Sequence, residues 1–542
     1  MRIHLLIGCM LVLLLVGCAI KTTAGSGAEG RSANVVNIRD FGASGDGRSS
    51  ATKQIQAAID AAAAAGGGTV LVPAGQYVTG TLWMKSNVTV HIDAGGTLLG
   101  SQDKAEFPEW TSDWEGPNVP KETPRYAPLF AGENLENVAL VGRGTVDARG
   151  EMWWAMQNAQ KGKEVMRPRT LRLVNCRNVL VEGLTFKRSG YWTISPLACD
   201  NVTIDKITII NPPDSPNTDG INPESCRNVR ISNCHVDVGD DCITIKSGKE
   251  TDGRRELWPC ENITISNCTL VHGHGGVVFG SEMSGSIRNV TISNCVFVGT
   301  DRGLRFKARR GRGGVIEDIR ADNLVMDGVL CPISVNLFYG PGAWTDKKVT
   351  DQSPAPVDAG TPRFRRLRFS NITARRVKYA AAYLVGLPEM PVEDVALDGV
   401  SFYLDPENTE AGTPDMAPGS PKLAGAGFIA QRVKRLSLRN VEVVDQKGAA
   451  VSLSDVSELA LDGVVCRSAP SSGAAIALEN VVDASIRHCS VPPHTVEPIR
   501  VTGSRSANIR IGDNDFAPAA EIKAAQARDG DPGGKSLPSE GR

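Results

Sequence analysis

The chain is poor in the features that mark several common classes. Aromatic residues make up only 5% of its 542 positions, and the formal net charge is −1. Without a basic surplus or aromatics interleaved among basic residues, nothing points to nucleic acid or to a charged membrane surface. No tight Cys-x-x-Cys cluster or His pairing of the kind zinc requires is present, so no structural metal is expected. Long hydrophobic runs are also missing. The longest, Leu5 to Val16, is too short to span a bilayer, which takes about 20 residues. Helical stretches between the apolar segments are absent too, and with them the Leu framework of a leucine-rich horseshoe.

What is abundant is repetition. An Asn or Asp, an aliphatic residue and then alternating apolar and polar residues recur as NVALVGRGTV from Asn137, NVLVEGLTF from Asn178 and NVTIDKITI from Asn201. The same phrase returns as NVRISNCHV from Asn228, NITISNCTL from Asn262 and NVTISNCVF from Asn289. Looser copies begin at Asp394, Arg435, Glu458 and Asn508. Period-two alternation punctuated by Gly and Asn means strand. A repeat this short cannot bury its apolar side until a neighbour stacks on it, which makes a solenoid. Strand-only units predict an all-β, single-chain parallel β-helix, in which equivalent positions on successive coils lie about 4.8 Å apart.

Of the thirteen cysteines, two lie in the N-terminal signal region and most of the others follow the same period. Cys176, Cys199, Cys226 and Cys260 each stand two residues before the repeat's Asn, and Cys234, Cys268 and Cys295 share Ser-Asn-Cys. Equivalent positions predict stacks of small buried thiols; a bridge such as Cys242 to Cys268 is the alternative.

The organisation follows from these patterns. Residues 1–18 read as an export signal whose end, Leu15-Val16-Gly17-Cys18, resembles the bacterial lipoprotein processing site, with Cys18 the lipidated residue. The expected location is therefore the cell envelope, outside the cytoplasm, with membrane contact only through that anchor. Residues 19–34 form a flexible linker and 35–516 the solenoid, which is expected to work as a monomer. An Ala-rich stretch from Ser50 to Ala65 is the candidate helix capping the open apolar end. Segments 101–130, 338–362 and 404–427 break the repeat and are expected to be functional loops; 517–542 read as a disordered tail.

Four short segments carry the chemistry, each about one coil after the last: Asn217-Thr218-Asp219-Gly220, Gly239-Asp240-Asp241, Gly273-His274-Gly275 and Arg305-Phe306-Lys307. Stacking them gathers Asp219, Asp240 and Asp241 with His274, Arg305 and Lys307. Glycoside hydrolysis with inversion needs a carboxylic acid for the leaving oxygen and a carboxylate for water, about 6.5–9.5 Å apart. Crowded carboxylates push one another's pKa apart, so one stays protonated. Adjacent strand residues point to opposite faces, so Asp240 and Asp241 cooperate only if the backbone bends, which Gly239 would permit. Arg305 and Lys307 share a strand face and suit a substrate carboxylate. Arg302, Arg309, Arg310 and Arg312 read as solvated or turn-stabilising charge. Tyr191 and Trp192 suit either sugar stacking or packing beneath the catalytic coil.

These four segments in order, with Asp40-Phe41-Gly42-Ala43-Ser44-Gly45-Asp46-Gly47 before them and Arg310-Gly311-Arg312-Gly313-Gly314 after, resemble the polygalacturonases, the pectin-hydrolysing family of glycoside hydrolases. The resemblance implies a right-handed parallel β-helix acting on a pectic polysaccharide or oligogalacturonide, with no metal or organic cofactor. It makes Asp240 the general acid, gives the water to Asp219 and Asp241, and sets His274 in support. Asn217, Arg305, Lys307 and Tyr339 would contact the sugar. Asn222 departs from the pattern, which often has Asp there, and Phe306 replaces a common Ile. Alternatives are hydrolysis of rhamnogalacturonan or xylogalacturonan, a calcium-dependent pectate lyase, and a non-catalytic pectin-binding solenoid.

Overall fold

A computed structural model describes residues 34–114, 125–160, 165–249, 258–470, 473–516 and 523–524. The signal with Cys18, nearly all of the 19–34 linker and most of the 517–542 tail lie outside the described residues. Within that tail, Lys523–Ala524 pair in parallel with Arg500 and Val501, so this short piece is ordered as a strand.

The chain winds as a parallel β-helix. Three columns of strands run along it, and each coil visits them in turn. One coil contributes Arg227–Ser232, His235–Val238 and Ile243–Ile245, and the next Cys260–Ser266, Thr269–His272 and Val277–Gly280. From Ile287–Val298 to Val392–Leu404 the first two strands of a coil merge into one long bent strand.

The repeat phrase acquires a physical meaning here. Its leading Asn is not a strand residue in the ordinary sense: Asn137, Asn178, Asn201, Asn228, Asn262 and Asn289 all sit in the left-handed region, with φ between 55° and 58°. Asn tolerates that conformation better than most residues. Most also extend a ladder: Asn178 Nδ2 donates to Asn137 Oδ1 at 2.9 Å and Asn201 Nδ2 to Asn178 Oδ1 at 2.7 Å, while Asn228 turns to Asp200 Oδ1. The looser copies keep the turn without the Asn, since Asp394, Arg435 and Glu458 hold the same conformation.

The aliphatic residue that follows points inward. Val179, Val202, Val229, Ile263, Val290 and Ile319 stand in register through successive coils, all essentially inaccessible. Burying each such side chain is worth roughly 1.5–3 kcal/mol, so the column is a continuous source of cohesion. The cysteines fill the same interior. All eleven described cysteines are buried and free, Cys242 and Cys268 included, so the stacks form and that bridge does not.

The capping helix is Thr52–Ala64, which turns Ile55, Ala58, Ile59 and Ala62 onto the first coils. A second helix, Glu151–Ala159, interrupts the strands, contrary to the strand-only expectation. Its Trp153 is buried edge-on against Phe107 and packs on Tyr126. The 101–130 insertion carries an antiparallel pair, Glu109–Trp110 with Arg125–Tyr126, and the 338–362 insertion a single turn of helix at Lys347–Thr350.

Candidate active site

The site grows from the third column of strands. Ile221 bridges Ile243, which pairs with Val277, which pairs with Leu304. Two residues before each aligned position come Asp219, Asp241, Gly275 and Arg302, so Asp219 and Asp241 occupy equivalent places on consecutive coils. Asp240 and Asp241 lie in the bend between His235–Val238 and Ile243–Ile245, which frees both from strict alternation. Gly239 permits that bend through its lack of a side chain. Its φ is not left-handed; instead, a Cβ there would lie 2.5 Å from the Ser215 carbonyl oxygen and 2.6 Å from that of Pro212. Glycine lets the acidic turn press against the neighbouring coil.

One oxygen from each of Asp219, Asp240 and Asp241 falls within 4.8 Å of the others. This is tighter than the 6.5–9.5 Å expected for an acid and base separated by water. The three are not equivalent. Burial would raise Asp241, but Lys307 Nζ donates to its Oδ2 at 2.6 Å and Arg305 to its Oδ1 at 3.4 Å, which holds it down at about 2. Burial, then the charge of Asp240, pushes Asp219 well above the usual carboxylate range. Asp240 is raised by burial and next by Asp241, and its side chain is the most accessible of the three. Its Oδ1 accepts from the Asp241 N–H at 2.9 Å.

Asn222, the departure noted in the sequence, donates from Nδ2 to Asp219 Oδ2 at 3.0 Å. An Asp in its place would add a fourth carboxyl to the cluster, whereas the amide supplies a donor. Three acids at this spacing could face a cation, but Asp241 has already committed both oxygens, and Lys246, Lys307 and Arg305 supply positive charge around them.

A cleft of about 640 Å³ opens over the acids. Asn217, Asp219, Asp240, Asp241, Lys307 and Tyr339 line it, with Tyr191 and Trp192 stacked on each other at 5.3 Å at one side. Asn217 accepts from Arg167 at 2.6 Å, and its Nδ2 approaches Asp240 at 3.5 Å. Tyr339 lies under the Lys307 ammonium, 5.2 Å from its ring centre.

Two expected site residues are placed differently. Arg305 does not line the cleft: its guanidinium is buried and spent on Asp241 and on Asp415, whose Oδ1 it meets at 2.9 Å. Asp415 comes from the 404–427 insertion, is itself inaccessible, and accepts from Ser334 Oγ at 2.9 Å. A protein carboxylate thus sits where a substrate carboxylate was expected. His274 donates its backbone N–H to the Asp240 carbonyl at 3.2 Å, but its imidazole turns to Asp301, 3.1 Å away, and is absent from the cleft lining. That hydrogen bond, followed by Asp240 among the charges, raises the imidazole against the opposing effect of burial.

The arginines read as solvated or turn-stabilising are buried, and Arg302 and Arg310 hold loops. Arg302 donates to the Thr413 and Pro414 carbonyls, Arg310 is paired with Glu389, and Arg309 and Arg312 line the cleft. Sequence reasoning also missed Lys246, which lies 2.9 Å from Glu282 and over the Trp192 ring. Its signal was present: Lys246 follows Thr244 at period two on the coil of Asp241, in the column that later holds Lys307.

A carboxylate cluster with one member held low by cations and two raised by burial and crowding, set in a cation-lined cleft along a parallel β-helix, is the apparatus of a glycoside hydrolase. The chain belongs to the glycosyl hydrolases family 28, whose sequence model matches residues 65–413. A probable polygalacturonase of Vitis vinifera is 32% identical over 380 residues, covering 69% of this chain and 75% of that protein. The crystal structure of a hyperthermoactive exopolygalacturonase from Thermotoga maritima shares 30% identity with a TM-score of 0.63, over 76% of this chain and 91% of its own. The family 28 exopolygalacturonase of Yersinia enterocolitica, at 21% identity and TM-score 0.64 over 79% and 78%, shares the fold. The chain is a polygalacturonase-like hydrolase.

Proposed function

We propose that the chain hydrolyses α-1,4-linked galacturonic acid in pectin with inversion of configuration. The asymmetry among the three acids carries this reading. Asp240, the most open of the three and raised by burial and by the charge of Asp241, is the general acid that delivers a proton to the leaving glycosidic oxygen. Asp241, ionised by Lys307 and Arg305, and Asp219 hold the attacking water between them.

Separation alone would suggest a direct nucleophile, since retaining pairs stand about 5–5.5 Å apart. The bonding favours water instead. Asp241 has both oxygens engaged by cations and is only 1% exposed, and Asp219 has an oxygen engaged by Asn222 and is 3% exposed. Carboxylates so recessed and tied cannot advance onto an anomeric carbon, but they can orient a water at it. Lys307, Arg309 and Arg312 give the cleft positive charge suited to a polyuronate. The polygalacturonase names of the relatives agree with that substrate. Export and attachment through Cys18 belong to the same reading, and rest on the Leu15-Val16-Gly17-Cys18 sequence.

Proton NMR of the first product released from polygalacturonate tests it. A β-configured new reducing end is expected from the α-linkage; an α-configured one would refute inversion. An unsaturated product with ultraviolet absorbance, suppressed by a chelator, would replace hydrolysis by elimination.

A further inference from the structure

Four consecutive residues of the 404–427 insertion each grip a different part of the active site. Thr413 and Pro414 offer their carbonyls to Arg302, at 2.9 Å and 3.0 Å. Arg302 in turn holds Asp301, 3.2 Å from its Nη1, and Asp301 meets the His274 imidazole. Asp415 takes the Arg305 guanidinium, which also reaches Asp241. Met416 accepts at its carbonyl from the Gly340 N–H at 2.9 Å, next to Tyr339 in the cleft. The turn is itself anchored, because Gly412 and Leu423 pair as an antiparallel bridge at its neck. None of the four lines the cleft, and three of them lie past residue 413, where the match to the family ends.

Asp415 is the charged member of the set. It is fully buried and both oxygens are held: Oδ1 accepts from the Met416 N–H at 2.7 Å and from Arg305 Nη2 at 2.9 Å, and Oδ2 from Ser334 Oγ at 2.9 Å. A carboxylate fixed in this way dictates where the guanidinium lies. Arg305 is drawn closer to Asp415 than to Asp241, whose Oδ1 it reaches only at 3.4 Å, longer than the usual span of about 2.7–3.2 Å. Lys307 Nζ meanwhile holds the other Asp241 oxygen at 2.6 Å. Without a second anion, the buried guanidinium would close on the carboxylate that remains, since charge-assisted contacts of this kind shorten to about 2.7–2.9 Å. Asp241 would then be clamped from both sides, with less of Oδ1 left to accept from water.

We infer that Asp415 is a positioning residue for hydrolysis: it restrains Arg305, so that Asp241 keeps an acceptor site on Oδ1 for the attacking water. The inference rests on the role proposed for Asp241. Asp415 does not reach the cleft and acts through Arg305, so its influence on the reaction disappears once Arg305 is gone.

The test is a double-mutant cycle on the full chain, reading reducing-end release from polygalacturonate for the parent, Asp415→Asn, Arg305→Met and the two combined. Asp415→Asn keeps the side chain's shape and removes its charge. Its kcat should fall about tenfold or more, the scale of a misplaced catalytic group, with KM within about twofold of the parent. In the Arg305→Met background the same change should alter kcat by less than about twofold. Ser334→Ala removes one donor that fixes Asp415 while keeping every charge, and should lower kcat by a smaller factor, again without moving KM. Thermal melting establishes which variants are folded; if a charge variant is not, the kcat-against-KM split of Ser334→Ala decides the question. An unchanged kcat in folded Asp415→Asn or, failing that variant, in Ser334→Ala would overturn the inference, as would a fall carried by KM or losses that multiply as for independent sites. An Asp241→Asn variant as active as the parent would instead overturn the role proposed for Asp241.

Discussion

Replacing Lys307 by Met is the most informative perturbation of the acidic cluster, because it keeps side-chain length and removes only the charge. The Lys307 ammonium and the Asp241 carboxylate meet at 2.6 Å, with side chains 6% and 2% exposed. Removing one partner of a buried pair typically costs about 3–5 kcal/mol. Arg305 remains 3.4 Å from Asp241, which puts the expected loss near the lower end, about 3 kcal/mol. At 1.36 kcal/mol per pKa unit, that is roughly 2 units on Asp241. Asp241 is depressed in the folded protein, so its contribution is complete above 3.8 and lost as pH falls through about 2. In Lys307→Met the acid limb of kcat/KM should therefore move upward, to about pH 4. The assay is the initial rate of reducing-end release from polygalacturonate across the acid range. The substrate's own carboxyls titrate identically with both enzymes, so the difference between the two profiles isolates the enzyme. If Lys307 only grips substrate, activity falls uniformly and the limb stays where it was; that outcome refutes Asp241 as the ionised carboxylate maintained by Lys307.

Asp240→Asn should lower hydrolysis roughly 10²–10⁴-fold, the usual worth of a general acid, while raising the melting temperature at neutral pH. Asp240 is raised in the folded state, so its carboxyl favours folding below the usual 3.8 and loses that advantage as pH rises through its folded value. The thermal gain should accordingly fade as pH drops below 3.8; an equal gain at every pH would contradict the crowding. Gly275→Ala puts a methyl 2.4 Å from Val278 Cγ2 and 3.3 Å from Asp241 Oδ1. It should reduce kcat with little change in KM, and unaltered steady-state kinetics would show that the close approach is not needed.

Much of this architecture could be read before any coordinates. The Asn-aliphatic phrase specifies both the left-handed corner and the inward column, so one motif encodes turn and core together. Ordered motifs at coil spacing were enough to bring Asp219, Asp240 and Asp241 into one cluster, and Phe306, between the outward Arg305 and Lys307, stacks inward on Phe279 at 4.4 Å. The helix Glu151–Ala159 was missed because two turns hold too few residues to show a period against the strand background, although Met152, Trp153 and Met156 mark its buried side. The surroundings of Arg305 and His274 were not legible for a different reason. Register predicts which residues are neighbours along a column, but Asp415 and Asp301 intercept these two side chains, and one of them arrives from a loop with no repeat to align it. Arg302 and Arg310 looked solvated because their partners, Thr413 and Pro414 for the one and Glu389 for the other, lie far along the chain and outside the repeat.

Arg305 finds its second carboxylate across 110 positions of chain. The acids, the lysine and the arginine are all present once the chain has been made through Lys307, yet the guanidinium that helps hold Asp241 ionised is not itself secured until the 404–427 loop folds back. Fragments ending before Asp415 would carry every catalytic group and still lack the counter-ion that anchors them. The full set of ion pairs around Asp241 and Arg305 is thus complete only once the chain has been made well past its chemistry.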